Sequence, residues 1–250
     1  MRKIIATILL GAGILFATHP AQADNLSGEE ILNRVKKATV AKDRKATATM
    51  TITDRNGRVQ TRTVLFVTKG DSKLMATFQE PPDLRGVTFM TTKVDNMWIY
   101  LPTQARVRRI SGSMVNQGFG GSDFSYKEMN NISSVASDKA VEKVEETTLN
   151  NKPTYRLTLK ETDGTLSRLW IEKIAFLPLV IEKLDAKGAV KKRIQFGDFA
   201  QDDSIWTPRL IQIQDLNKNS KTEIRIMEFQ LNTGIKDNFF TEANMKRGGR

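Results

Sequence analysis

Hydrophobic and polar positions along this chain follow two periods, first one near 3.6 and then one near 2. Ser27 and Glu30 stand at capping-box spacing, and Ile31, Leu32, Val35 and Ala38 then fall on one helical face. That spacing predicts one helix, with Arg34, Lys36 and Lys37 largely on its solvated side. After it the period drops. Ala46, Ala48, Met50 and Ile52 alternate with four threonines, which is the pattern of a half-buried strand. Asp54-Arg55-Asn56-Gly57 makes a turn, and Arg58 to Thr68 returns as the second strand of a hairpin.

The same reading predicts further strands near 73–78, 87–94, 96–101, 105–110, 141–148, 153–160, 166–172, 178–184, 189–196, 205–215 and 221–231. Short polar or glycine turns such as Asp185-Ala186-Lys187-Gly188 and Asn217-Lys218-Asn219-Ser220 separate many of them. The expected fold is mainly β (α+β), built on one large, strongly curled antiparallel sheet. Residues 111–134 interrupt the series with Gly112, Gly118, Gly120 and Gly121, followed by Asp123-Phe124-Ser125-Tyr126. Ser125 and Glu128 repeat the capping-box spacing and predict a short helix from Tyr126. A connection this long inside a compact β fold is usually functional or disordered, and Phe119, Phe124 and Tyr126 argue against disorder.

Several strands are apolar on both faces. In Met97-Trp98-Ile99-Tyr100-Leu101, Trp98 and Tyr100 point one way while Met97, Ile99 and Leu101 point the other. Val64 to Val67 and Leu177 to Ile181 behave similarly. Either helices cover the second face or it lines a cavity, and there is little predicted helix to cover so many strands.

The N-terminus changes the picture of where this chain works. Arg2 and Lys3, the apolar run Ile4–Ala17 and Ala21-Gln22-Ala23 read as a secretory signal cleaved after Ala23. Its removal takes away His19, the only histidine, and leaves 227 of the 250 residues as an expected single domain over 24–250. With no cysteine anywhere, Ser-His-Asp and Cys-His catalysis are excluded, as are soft metal sites; only oxygen-ligand ions such as calcium remain. No catalytic residues, metal ligands or cofactor are expected. The remaining 37 basic residues exceed the 28 acidic ones by nine. Outside the cytoplasm such an excess points away from nucleic acid and toward phospholipid or glycolipid headgroups and transient contact with membrane surfaces. Arg106, Arg108 and Arg109 follow the Trp98 strand, and Arg106 and Arg108 share a face from which they can meet phosphate.

Taken in order, Pro81-Pro82-Asp83-Leu84-Arg85-Gly86, Met97 to Pro102, Arg108-Arg109-Ile110 and Phe119 to Tyr126 resemble the bacterial outer-membrane lipoprotein-sorting family, the LolA-like periplasmic carriers. Leu169-Trp170-Ile171-Glu172, Leu177-Pro178-Leu179, Trp206-Thr207-Pro208 and Phe239-Phe240-Thr241 continue the likeness over nearly all of residues 24–250. The resemblance implies an unclosed half-barrel with a few helices across its concave face and an apolar cavity between them. It makes Phe89, Trp98 and Tyr100 candidates for the cavity lining, and Met114, Phe119, Phe124 and Tyr126 candidates for cavity and lid. Arg106 and Arg108 become candidate headgroup contacts. The implied partners are acyl chains of lipoproteins, or a phospholipid or glycolipid, together with an inner-membrane transporter, often of the RND type. Two other readings stay open at this point: a ligand-free adaptor of a transporter complex, and an envelope hydrolase using carboxylates.

Overall fold

The computed structural model describes residues 26–93, 96–132, 135, 139–161 and 164–249. The expected signal segment at 1–23 and positions 133 and 134 of the glycine-rich interruption lie outside the described residues. The first element, α1 (Gly28–Thr39), begins at Ser27, whose side chain accepts from the Glu30 amide while Glu30 reaches back to the Ser27 amide. Its buried stripe is Ile31, Leu32 and Val35.

The strands then follow in hairpin succession. They are β1 (Asp43–Thr53), β2 (Val59–Lys69), β3 (Lys73–Glu80), β4 (Thr88–Lys93), β5 (Asn96–Leu101) and β6 (Arg106–Ile110). Two 3-10 turns and α2 (Tyr126–Asn131) intervene. The chain resumes with β7 (Ala140–Leu149), β8 (Lys152–Lys160), β9 (Leu166–Glu172), β10 (Pro178–Leu184), β11 (Val190–Asp202), β12 (Ile205–Asp215) and β13 (Ser220–Leu231). A short α3 (Glu242–Lys246) ends the described chain.

Among the described residues all thirteen strands belong to one antiparallel sheet, ordered β6-β5-β4-β3-β2-β1-β13-β12-β11-β10-β9-β8-β7. β1 and β13 pair at its centre, while β6 and β7 form its two edges, so the half-barrel does not close. Strand parity divides the side chains between two faces. The inner face carries Ala46, Ala48 and Met50 of β1, Ile224 and Ile226 of β13, and Phe89 of β4, all in one large core cluster. The outer face of β2–β5 carries Leu65, Val67, Met75 and Met90 in a second, smaller cluster.

The second cluster answers the question raised by strands that are apolar on both faces. The segment after β13 crosses the outer face, where Phe240 and Met245 are buried against it and α3 packs on β4 and β5. Asp43 anchors the crossing. Its carboxylate accepts hydrogen bonds from the Thr233 amide and hydroxyl and from the Gly234 and Ile235 amides. Burial pushes the Asp43 pKa up, but these four donors outweigh it and hold the carboxyl below its ordinary value.

Trp98 and Tyr100 pack against this outer cluster. Cross-strand register fixes the point, since Trp98 pairs with Met90 while Phe89 pairs with Ile99. The expectation that Trp98 and Tyr100 share a cavity lining with Phe89 is therefore corrected: they lie on opposite faces of the sheet.

Candidate functional site

Two covering segments lie over the inner face. α1 packs across β12 and β7. A Cβ at Gly28 would come within 2.4 Å of the Val141 side chain, so glycine is what lets the start of α1 sit so close to β7. The second cover is the glycine-rich stretch, Gly112–Asn116, Phe119–Gly121 and α2. Phe119 stacks on Phe78 at 4.9 Å and meets Phe89 and Tyr126 edge-on at 5.9 and 6.0 Å. Gly120 follows with φ +56, and a Cβ there would strike the Phe78 ring at 2.4 Å.

Polar contacts pin this second cover to β13 and β11. The Asp123 carboxylate accepts from Ser220 Oγ at 2.5 Å and Thr222 Oγ1 at 2.8 Å. Lys192 Nζ donates to the Asp123 carbonyl at 2.8 Å and to Glu128 Oε2 at 2.9 Å. Glu128 is also the capping-box partner of Ser125, so the residue that starts α2 also docks it.

Between the covers and the sheet there remains a cavity of about 90 Å³. Ala46, Phe66, Phe196, Ile211 and Ile226 line it from the strands, and Met129 and Ile132 close it from α2 and the residue that follows. Sites that hold drug-sized ligands are typically about 300–1,000 Å³, so this cavity must widen to admit one.

Beside Thr39, Thr68 and Thr207, its charged lining residue is Arg44. The guanidinium Nη2 donates to the Thr39 carbonyl at the end of α1, 3.0 Å away, while the buried Nε has no hydrogen-bond partner among the described residues. Burial alone pulls the Arg44 pKa down to about 10. An arginine on the inward parity of Ala46, Ala48 and Met50 is a signal that the alternating pattern of β1 already contains.

Phe89, Phe119, Phe124, Tyr126 and Met114 come together in or against the inner core cluster, but the 90 Å³ cavity is lined by other residues. Arg106 and Arg108 pair with Leu101 and Ile99 on the inward parity of the edge strand β6. Both are exposed, and Arg108 Nη2 donates to Gln104 Oε1 at 2.7 Å.

A long, unclosed antiparallel sheet curled over a covered apolar cavity is the LolA-like fold of the outer-membrane lipoprotein-sorting proteins. The chain belongs to the family whose model, described as that of an uncharacterized protein, matches residues 70–247. A domain described as that of an outer membrane lipoprotein-sorting protein from Vibrio parahaemolyticus has the same architecture. It is 26% identical with a TM-score of 0.79, over 88% of this chain and 98% of its own. A DUF1329 family protein from Desulfovibrio piger is 24% identical with a TM-score of 0.78, over 87% of this chain and 97% of that one. A LolA superfamily protein from Nitrosomonas europaea is 16% identical with a TM-score of 0.70, over 87% and 99% respectively. No curated protein matches the sequence.

Proposed function

We propose that this protein is an exported periplasmic carrier. In this reading it takes the acyl chains of a lipoprotein, phospholipid or glycolipid under its covers and moves them toward the outer membrane. The donor is an inner-membrane transporter of the RND type. The observation that supports this most strongly is the mostly apolar cavity beneath segments that are not part of the sheet.

The physical need is clear. Burying hydrocarbon is worth about 0.8 kcal/mol per CH₂, so a chain of about 16 carbons crosses water only at a cost of roughly 12 kcal/mol. An enclosed apolar cavity lowers that barrier, and a cover that opens lets the chain leave again. Nothing in this reading calls on a catalytic group.

Native mass spectrometry of protein purified from the periplasm without detergent, followed by lipid extraction, tests the reading. A stoichiometric bound lipid or acylated peptide is the expected result and names the cargo. A mass that stays free of ligand, even after incubation with phospholipid vesicles and lipoprotein, refutes it.

A further inference from the structure

The inner face is not apolar to its end. Cross-strand register sets Ser167 of β9, Lys183 of β10 and Lys192 of β11 in one row. The next row of the same strands is Leu169, Ile181 and Ile194. Cations therefore border the apolar floor directly, on the inward parity of three adjacent strands.

One of these cations, Lys183, converges with Lys139 on a single carboxylate. Lys183 Nζ bonds Glu161 Oε1, which also accepts from Ser167 Oγ at 3.1 Å, and Lys139 Nζ stands 3.7 Å from the same oxygen. The side chains of Lys139, Glu161 and Lys183 are 5, 7 and 16% exposed. Among the described residues, two buried ammonium groups share one carboxylate and leave the cluster with excess positive charge, an expensive state in a low dielectric. The nearby Lys192 and Glu128 pair with each other, and Asp123 is held by Ser220 and Thr222, so none of these offsets it. Burial, reinforced by Lys183, brings the Lys139 pKa down to about 8 despite Glu161.

The cluster adjoins the cavity. Lys139 and Lys183 line a recess whose other walls include Ile132, Val135, Phe196 and Glu128, the last already paired with Lys192. Ile132, Val135 and Phe196 also line the 90 Å³ cavity, so the two spaces share these walls. Lys139 also borders a wider cleft of about 640 Å³ between α1 and β7.

Resting on the carrier reading above, we infer that the apolar cavity ends in an anion site formed by Lys139 and Lys183, and that the ligand is an acidic amphiphile: a hydrocarbon chain bearing a carboxylate or phosphate. The chain lies along Phe196, Ile211 and Ile226, and the acid meets the two ammonium groups in the adjoining recess.

Titrations read by native mass spectrometry, with palmitate, hexadecyl phosphate, hexadecanol and inorganic phosphate, test this. The two acids are expected to bind at least about tenfold tighter than hexadecanol, the size of a charge-assisted contact. In Lys139→Met, and independently in Lys139→Gln, the ratio of acid to alcohol affinity falls toward one; Glu161 keeps Lys183 in both variants. If hexadecanol binds wild type as tightly as the acids, or both variants keep the preference, the anion site is wrong and the carrier reading stands. If inorganic phosphate alone binds as tightly as hexadecyl phosphate, the site serves a free anion and the amphiphile is wrong. If no amphiphile binds at all, both readings fall together.

Discussion

Replacing Arg44 with methionine separates a clasp from a structural strut, because the two roles predict opposite signs. The guanidinium sits beside an apolar cavity with a single hydrogen bond, from Nη2 to the Thr39 carbonyl. Burial lowers its pKa to about 10, and at about 1.4 kcal/mol per pH unit that desolvation amounts to roughly 3 kcal/mol against the folded state. The hydrogen bond returns about 1.5–3 kcal/mol, as bonds from charged donors do. Methionine retains an apolar stem to fill the same space. Arg44→Met should therefore be neutral or stabilising by up to about 2 kcal/mol, whereas removing one partner of a true buried ion pair costs about 3–5 kcal/mol. Urea unfolding followed by far-ultraviolet circular dichroism gives the sign. The second readout is the cover: with α1 untied at Thr39, uptake of the apolar dye N-phenyl-1-naphthylamine should become faster. Destabilisation by more than about 2 kcal/mol, or dye uptake at the wild-type rate, would show that Arg44 is no clasp.

Three further outcomes follow from the same geometry. Lys139, with its folded pKa lowered to about 8, loses its proton before the unfolded chain does, so stability rises with pH from about 8 to about 10.4. That component is up to about 3 kcal/mol, and denaturant curves of Lys139→Met across the window should lack it. Asp43→Ala strands four donors of the C-terminal crossing and should cost about 2–3 kcal/mol at pH 7 by urea unfolding. Because the Asp43 pKa is lowered, its contribution holds above the ordinary carboxylate range and fades as pH falls through its folded value. Trp98→Ala should loosen the outer cluster, seen as a lower Tm, while lipid co-purifying with the protein stays at the wild-type amount. A loss of bound lipid with Tm unchanged would return Trp98 to the cavity.

The elements were largely legible because alternation is a local property. All thirteen expected strands are present among the described residues, β11 running six residues past its expected end, and both capping boxes start helices at Gly28 and Tyr126. Facing was legible only in part. In β5 both parities are apolar, and periodicity alone does not say which one turns inward. What covers the outer face is a stretch about 130 residues later in the chain. It includes Phe240, Met245 and a five-residue helix too short to leave a periodic trace. Arg44 and Lys183 are different. Both occupy inward positions of strands whose other inward residues are apolar, and such a charge on the buried parity is visible in sequence.

The covers are held unequally, and this decides which one gives way. The glycine-rich cover is fixed by a buried aromatic stack and by hydrogen bonds that Asp123 accepts from Thr222 and Lys192 and Glu128 accepts from Lys192. α1 is held chiefly by three buried side chains, Ile31, Leu32 and Val35, by the Arg44 clasp and by an ion pair of Lys36 with Asp71. Fully exposing three such side chains costs roughly 5–9 kcal/mol, and exposed ion pairs add little. A hydrocarbon chain that takes their place recovers about 0.8 kcal/mol for each methylene it buries. About six to eleven methylenes therefore balance the displacement of α1. Long acyl chains open the cover by replacing what it buried; short ones do not. Across a series of straight-chain alcohols, binding should switch on within that range of chain lengths. A smooth gain starting from the shortest members would mean that the cavity fills without displacing α1.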